Sequence, residues 1–265
     1  MPEFPLTGPV TVQVRIPAGS VEVVAEERSS ADVDIQPFDG RPESAELAAE
    51  TRAELRGETL KIATPDSSGW RRRNGSVAVT VRVPLDSTAD AKVASADTSF
   101  HGRLARVEVE SASGDAFLEH VTGDATIQTA SGDVRTVRVE GNLRVKGASG
   151  DLNAQHIGGS LGVKSASGDV EVEELGGDAE IKTASGDVHI GGSSRGTLRV
   201  NTVSGDVGIG VRSGTGVWLD LGTVSGRTRN GLDMGAGGDA GGSTGGHDLT
   251  LQLRTVSGDI DIHTA

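Results

Sequence analysis

The tripeptide Ser-Gly-Asp recurs at a fixed interval of 18 residues in the second half of the chain. Strict copies begin at Ser113, Ser131, Ser149, Ser167 and Ser185, and looser copies begin at Ser204, Ser225 and Ser257. A fixed period of this kind is typical of a solenoid, in which each repeat forms one coil that stacks on the next. The repeat therefore constrains the fold much more than it constrains the chemistry.

Apolar residues divide each repeat into two similar halves. Counted from the Asp of Ser-Gly-Asp, the apolar positions are 2, 4 and 7, and then 11, 13 and 16. In one repeat these positions are Val170, Val172, Leu175, Ala179, Ile181 and Ala184. Alternating apolar and polar residues indicate strands with one buried face, and the Val and Ile content favours strands. The sequence predicts an all-β fold, a flattened parallel β-solenoid with two short strands and about 18 residues per coil.

Small residues mark the predicted corners of the coil. Gly132 represents one corner, and the other corner carries Gly123, Gly141, Gly159 and Gly177. Glycine takes the positive φ that a sharp corner requires. Position 16 is alanine in four repeats, Ala130, Ala148, Ala166 and Ala184, and we expect these side chains to fill a narrow corner.

The chain divides into two regions by its pattern. Residues 1–95 lack the 18-residue register, and we predict an irregular N-terminal β region that caps the solenoid. Residues 42–55 are the one stretch with helical character, as a short helix or a loop. Residues 96–265 form the repeats, interrupted by a Gly-rich insertion at 231–246. The last strand, 259–263, has no later coil to pair with, so we expect the N-terminal region, the Gly-rich insertion or another molecule to cover it. Stacking of one molecule on the next would produce a filament.

Composition excludes several function classes. The formal net charge of −13 argues against nucleic acid as a partner, since phosphate binding needs clustered Lys and Arg. The six histidines form no spaced metal motif, and neither a phosphate-binding loop nor a nucleophile elbow is present. We therefore expect no enzymatic activity and no cofactor. With neither a signal peptide nor a membrane-spanning segment visible, we expect a cytoplasmic protein.

The repeated aspartates are the candidate metal ligands. Asp133, Asp151, Asp169 and Asp187 are expected to stack along one corner, where like charges repel. Calcium would offset that repulsion, as it does in solenoids with Gly-rich nonapeptide turns. The alternative is that each carboxylate accepts backbone N–H groups in its own turn, and Arg227, which replaces Asp in one repeat, favours this structural role.

Three groups of residues are candidates for partner binding. Trp70, Arg71 and Arg72 form a basic, aromatic segment that is either a contact loop or a solvated hairpin tip. Trp218 faces outward by alternation, and is covered by the Gly-rich insertion or meets a partner. The ladder of Lys146, Lys164 and Lys182 could meet an acidic protein or an anionic lipid, although Glu171 and Glu180 suggest ordinary charge mixing between strands.

The repeated Thr-Ala-Ser-Gly-Asp-Val, at 129–134 and 183–188, occurs together with Val-Arg-Val-Pro at 81–84 and Val-Arg-Ile-Pro-Ala-Gly at 14–19. This combination resembles the bacterial DUF4097 family of β-strand-repeat proteins, also described as "putative adhesin" proteins. The resemblance implies a right-handed β-solenoid, and some relatives belong to envelope-stress systems that touch membranes. Our first hypothesis is a non-enzymatic, adhesin-like scaffold or binding module that acts on a protein partner or on itself. The alternative is an exported surface adhesin or envelope-stress protein, stabilised by calcium.

Overall fold

The protein is a parallel β-solenoid, as predicted from the repeat, and antiparallel strands lie at its N-terminal end. The structure is a computed structural model that describes residues 3–65, 75–232 and 248–265. The N-terminal elements are β1 (Glu3–Pro5), β2 (Thr11–Glu26), β3 (Ser30–Pro37), α1 (Pro42–Glu50), β4 (Arg52–Arg56), β5 (Thr59–Ala63), β6 (Val77–Pro84) and β7 (Thr88–Leu104). The helical stretch predicted from residue 42 onward is thus the short helix α1.

The repeats place their strands in two parallel rows on opposite sides of a thin core. Row A contains β8 (Arg106–Ser113), β10 (Ala125–Ser131), β12 (Leu143–Lys146), β14 (Leu161–Lys164), β16 (Ala179–Lys182), β18 (Gly196–Asn201), β22 (Leu249–Arg254) and β20 (Val217–Gly222). Row B contains β9 (Ala116–Val121), β11 (Val134–Val139), β13 (Leu152–Ile157), β15 (Val170–Leu175), β17 (Val188–Ser193), β19 (Val207–Val211), β23 (Ile260–Thr264) and β21 (Thr228–Asn230).

The N-terminal region shares the parallel register of the repeats. β2 and β7 are long enough to run through both rows, and they pair with each other in parallel from Thr11 to Ala25. β5 and β6 pair with the two halves of β2 on its far side. Antiparallel pairing begins only beyond them, where β4 lies on β5 and β3 lies on β6. Residue 95, the predicted boundary, therefore lies inside β7 rather than between two regions of structure.

The last coils do not stack in chain order. β22 pairs with β18 on one side and with β20 on the other, and β23 lies in the same way between β19 and β21. The C-terminal coil, formed by β22 and β23, therefore lies between the coil of β18 and β19 and the coil of β20 and β21, although β20 and β21 come before it in the sequence. No later coil follows residues 259–263, as predicted, but β23 is still paired along both edges, because the earlier strand β21 lies beside it.

The core contains the apolar positions that the repeat predicted, with one exception. Val170, Val172 and Ile181 are buried, whereas the alanines at position 16 are exposed. The exception arises because the alternation of row A continues for one more residue, so that position 15 points inward and position 16 points outward. Thr129 and Thr183, at position 15, are accordingly buried. The alanines line the outside of the corner.

Glycine is required at both corners, but for two different reasons. Gly168 has φ +125°, and a Cβ there would lie 2.1 Å from the carbonyl oxygen of Gly150 in the preceding coil. At the other corner Gly159 does not have a positive φ, yet a Cβ would lie 2.6 Å from the carbonyl oxygen of Gly141. Positive φ explains the first corner, as predicted, while the close approach of stacked backbones explains the second.

Candidate functional site

A row of cations crosses the outer surface of row A. Lys146, Lys164 and Lys182 are exposed and occupy the same register position on β12, β14 and β16. Neighbouring strands in a sheet lie about 4.8 Å apart, so the three side chains form a close column. Two arginines, Arg144 and Arg199, occupy the adjacent outward column. We call these five residues the basic stripe.

One carboxylate is set among these cations. Glu180 accepts a hydrogen bond of 2.5 Å from the Nζ of Lys182. This hydrogen bond, with the nearby charges of Lys182, Lys164 and Arg199, lowers the pKa of Glu180. Among the described residues, no carboxylate lies within ion-pair distance of Lys146, Lys164 or Arg144. The stripe is therefore only partly neutralised within the protein, even though the chain as a whole is acidic.

The other carboxylate expected near the lysines, Glu171, is not there. It belongs to β15 in row B, where its side chain accepts a hydrogen bond of 2.9 Å from Asn153. Glu174 lies on the same side, where it is hydrogen-bonded to His156 at 3.2 Å and forms an ion pair with Arg212 at 2.8 Å. Glu171 and Glu174 thus lie on row B, whereas the row A strands β12, β14 and β16 carry four cations and one carboxylate, Glu180.

A shallow groove borders the stripe at its N-terminal end. It has a volume of about 440 Å³ and lies beside Lys146, between Glu110, Gln128 and Ala148. Beyond the groove, Glu110 forms an ion pair of 2.8 Å with Lys92. The stripe is therefore bounded on this side by a pair of neutralised charges.

The aspartates of Ser-Gly-Asp form a continuous hydrogen-bonded ladder along one corner. The Oδ1 of Asp151 accepts the backbone N–H of Asp169 at 2.9 Å, and the Oδ1 of Asp169 accepts that of Asp187 at 2.8 Å. The same contact joins Asp115 to Asp133 and Asp133 to Asp151. Each carboxylate thus bonds the next coil rather than its own turn, which corrects the local geometry that we expected.

The second corner carries a related but shorter ladder. Oδ1 of Asp124 accepts both the backbone N–H and the side-chain N–H of Asn142 at 2.9 Å, and the Oδ1 of Asn142 accepts the backbone N–H of Ser160. Backbone donation from Asn142 is the main reason that the pKa of Asp124 is lowered. Both ladders use side-chain oxygens to hold stacked backbones together. Among the described residues, no group of three His, Cys, Asp or Glu side chains is placed to hold a metal ion.

The tryptophan candidates lie apart from the stripe. Trp218 is 41% exposed on β20, the outermost strand of row A, as its alternation predicted. Trp70, Arg71 and Arg72 lie outside the described residues, and so does most of the Gly-rich insertion. The structure therefore brings the lysines together, but it does not join them to Trp218 in one site.

Sequence reasoning missed a second groove, at the junction between the cap and the first coils. Its volume is about 400 Å³, and Phe38, Asp39 and Arg41 line it together with Ser95 and Gly114. Phe38 is 54% exposed at its rim. The sequence signal for this groove is the pair of oppositely charged residues after Phe38. The Nε–H of Arg41 donates a hydrogen bond of 2.7 Å to Asp39, and hydrogen bonding to Arg41 lowers the pKa of Asp39.

The solved structures that resemble this chain have low sequence identity to it. A "putative lipid binding protein" from Parabacteroides distasonis is 14% identical, with 100% of this chain and 95% of that chain covered and a TM-score of 0.46. A "putative adhesin" from Bacteroides fragilis is 11% identical, with 98% and 95% covered and a TM-score of 0.42. No curated protein matches the chain.

The family comparison covers almost the whole solenoid. The sequence profile described as Toastrack DUF4097 matches residues 16–263, from within β2 to within β23. The match includes both corner ladders, the basic stripe and the inserted C-terminal coil. This chain therefore belongs to the Toastrack DUF4097 family.

Proposed function

We propose that this protein is a non-enzymatic, adhesin-like binding module whose basic stripe holds an acidic protein partner. The observation that carries the proposal is the register of Lys146, Lys164 and Lys182 on three consecutive coils, with one carboxylate among them. Such a column presents repeated positive charge at a fixed spacing on a rigid sheet. Electrostatic complementarity of this kind selects a partner and accelerates its association.

The surroundings of the stripe support a binding role over a structural one. Lys146 and Lys164 make no ion pair within the described residues, so their charges do not serve to hold the coils together. Placing like charges on adjacent strands is unfavourable. The corner aspartates offset this cost by accepting backbone N–H groups, which the ammonium group of a lysine cannot do. The groove beside Lys146 adds a concave edge into which a partner side chain can fit.

The cellular location of the protein is a separate proposal. We propose a cytoplasmic location, and the alternative is a surface adhesin that uses the same stripe outside the cell. Among the described residues, no helix is long and apolar enough to cross a bilayer. Fractionation of the native cells distinguishes the two locations, since a surface adhesin will be accessible to protease added to intact cells.

Binding of polyglutamate tests the proposed function directly. We expect the full chain to bind labelled polyglutamate at low salt, with an affinity that falls as salt is added, because exposed charges are screened. A variant with Lys146→Gln, Lys164→Gln and Lys182→Gln should lose most of this binding. The matched control changes Arg135→Gln, Arg138→Gln and Arg229→Gln on row B, which alters the net charge equally.

Two outcomes would contradict the proposal. Equal loss of binding in both variants would mean that the net charge, rather than the stripe, determines the affinity. Binding to vesicles rich in anionic phospholipid, together with no binding to polyglutamate, would mean that the stripe meets a membrane surface. Circular dichroism of each variant shows whether the β-solenoid is retained.

A further inference from the structure

We propose that the outer edge of β20 is a self-association surface that pairs with β20 of a second copy around a two-fold axis. β20 is the outermost strand of row A, and within the described residues it pairs only with β22. An unpaired strand edge presents free backbone N–H and C=O groups to another chain. Strand addition at such an edge is a common mode of protein recognition.

The side chains of this edge are less buried than their equivalents one coil further in. Leu249, Leu251 and Leu253 of β22 have no exposed surface. Val217, Leu219 and Leu221 occupy the same register on β20, yet they are only partly buried, because no described coil covers their far side. A second copy would complete the burial of this row.

Other apolar residues are exposed at the same end. Trp218 is 41% exposed on the outer side of β20, and Val224 at the neighbouring corner is 83% exposed. Val256 and Val203, at the same corner position in the next two coils, are also exposed. Exposed apolar groups that cluster in this way mark interaction sites in soluble proteins.

The two ends of the solenoid differ, which selects a two-fold dimer over a filament. At the N-terminal end the outermost strand on one side is antiparallel β4, whose outward residues include the ion-paired Arg56 and Glu54. A filament would require this charged edge to bind the apolar end of another copy. A two-fold contact uses the same apolar surface twice and then closes.

Charge and register both permit this contact. Asp220 is the one ionisable residue of β20, and its carboxylate is neutralised by Arg254 at 2.6 Å. An antiparallel pair centred on Leu219 places Val217 opposite Leu221 of the second copy. Both residues then face the core side, so the two cores become continuous. Trp218 lies opposite Asp220 of the second copy on the outer side.

Light scattering of the full chain over a wide range of concentration tests the dimer. We expect the mass to rise from the monomer value of 27.0 kDa to twice that value and to stop there. Leu219→Lys should hold the protein at the monomer mass, because it places two charges at the axis. Val137→Lys, which changes an exposed apolar residue of row B, should leave the dimer unchanged.

A cross-link provides a second test that does not depend on a disruptive substitution. The chain has no cysteine, so Leu219→Cys introduces a single thiol that an antiparallel pair brings next to its copy. We expect oxidation to give a covalent dimer with Leu219→Cys and little with Val137→Cys. A monomer mass at every concentration, a mass that rises beyond the dimer, or equal cross-linking of both variants would each overturn the proposal.

Discussion

The backbone N–H of Asp259 donates to the Oδ1 of Asp206 at 2.7 Å, although the two residues are 53 positions apart in the chain. The backbone N–H of Arg227 in turn donates to the Oδ1 of Asp259 at 2.8 Å. The corner ladder thus runs from Asp206 to Asp259 and then to Arg227. Arg227 has no carboxylate, and it lies at the end of the ladder, where no described coil follows whose backbone N–H would need an acceptor.

Disulfide cross-linking will test this order of the coils. Ser204 and Ser257 form a parallel bridge, so Ser204→Cys combined with Ser257→Cys should oxidise readily to an intramolecular disulfide. Ser204 and Ser225 lie two coils apart, about 10 Å by strand spacing, which is too far for a disulfide. The pair Ser204→Cys with Ser225→Cys is therefore the matched control. Preferential oxidation of the control pair would mean that the coils stack in chain order.

The structure of a single coil was predictable because the alternation of apolar residues and the 18-residue step can both be read from the sequence. Alternating apolar residues specify which face of each strand is buried, and Ser-Gly-Asp marks every passage around one corner. The register of Val170 with Val188 follows from the 18-residue step alone. The lysine column was predictable for the same reason, since residues one period apart must lie on adjacent strands.

The order of the last coils was not predictable from the period. The coils that begin near Val217 and Leu249 share the sequence Thr-Val-Ser-Gly and the same apolar spacing, so either one fits next to β18. The signals were the missing aspartate at Arg227 and the long connection before Leu249. The position of Glu171 on row B was not predicted, because Glu171 is close to the lysines in the sequence and closeness in sequence does not specify the row.

Removing one carboxylate from the first ladder should weaken the stack. In Asp169→Ala the backbone N–H of Asp187 loses its acceptor, and we expect the free energy of unfolding to fall by about 1 kcal/mol. Asp169→Asn keeps an oxygen at that position and should lose less. Urea titration measures both, with Gln155→Ala on the surface of row B as a control. Equal losses for Asp169→Ala and Asp169→Asn would show that charge, rather than the hydrogen bond, is what matters.

Calcium should have no large effect on stability. The Oδ1 atoms of Asp133, Asp151 and Asp169 already accept backbone N–H groups, which offsets the cost of stacking these side chains. We expect the melting temperature in calcium to match that in chelator. A rise of several degrees in calcium, abolished by Asp151→Asn, would instead establish these aspartates as a metal ladder.

Two glycines of one coil should respond differently to alanine. Gly168→Ala forces a Cβ against the Gly150 carbonyl at a positive φ, and we expect a loss of more than about 1 kcal/mol. Gly162→Ala adds a Cβ 3.8 Å from the Cγ of Arg144, so the change should stay within about 1 kcal/mol. Thermal unfolding of both variants compares them. Similar melting temperatures would mean that the corner can relax.

Stability in acid should depend on Asp124, whose pKa is lowered chiefly by the backbone N–H of Asn142. A carboxylate with a lowered pKa in the folded state stabilises the protein at neutral pH, and this stabilisation is lost as the pH falls through that pKa. Asp124→Asn should therefore unfold more easily at pH 7, while its stability should fall less steeply below about pH 4. Urea titrations across this range, with Glu173→Gln as the control, measure the slope. A variant whose slope equals that of the wild type would show that the Asp124 charge does not stabilise this corner.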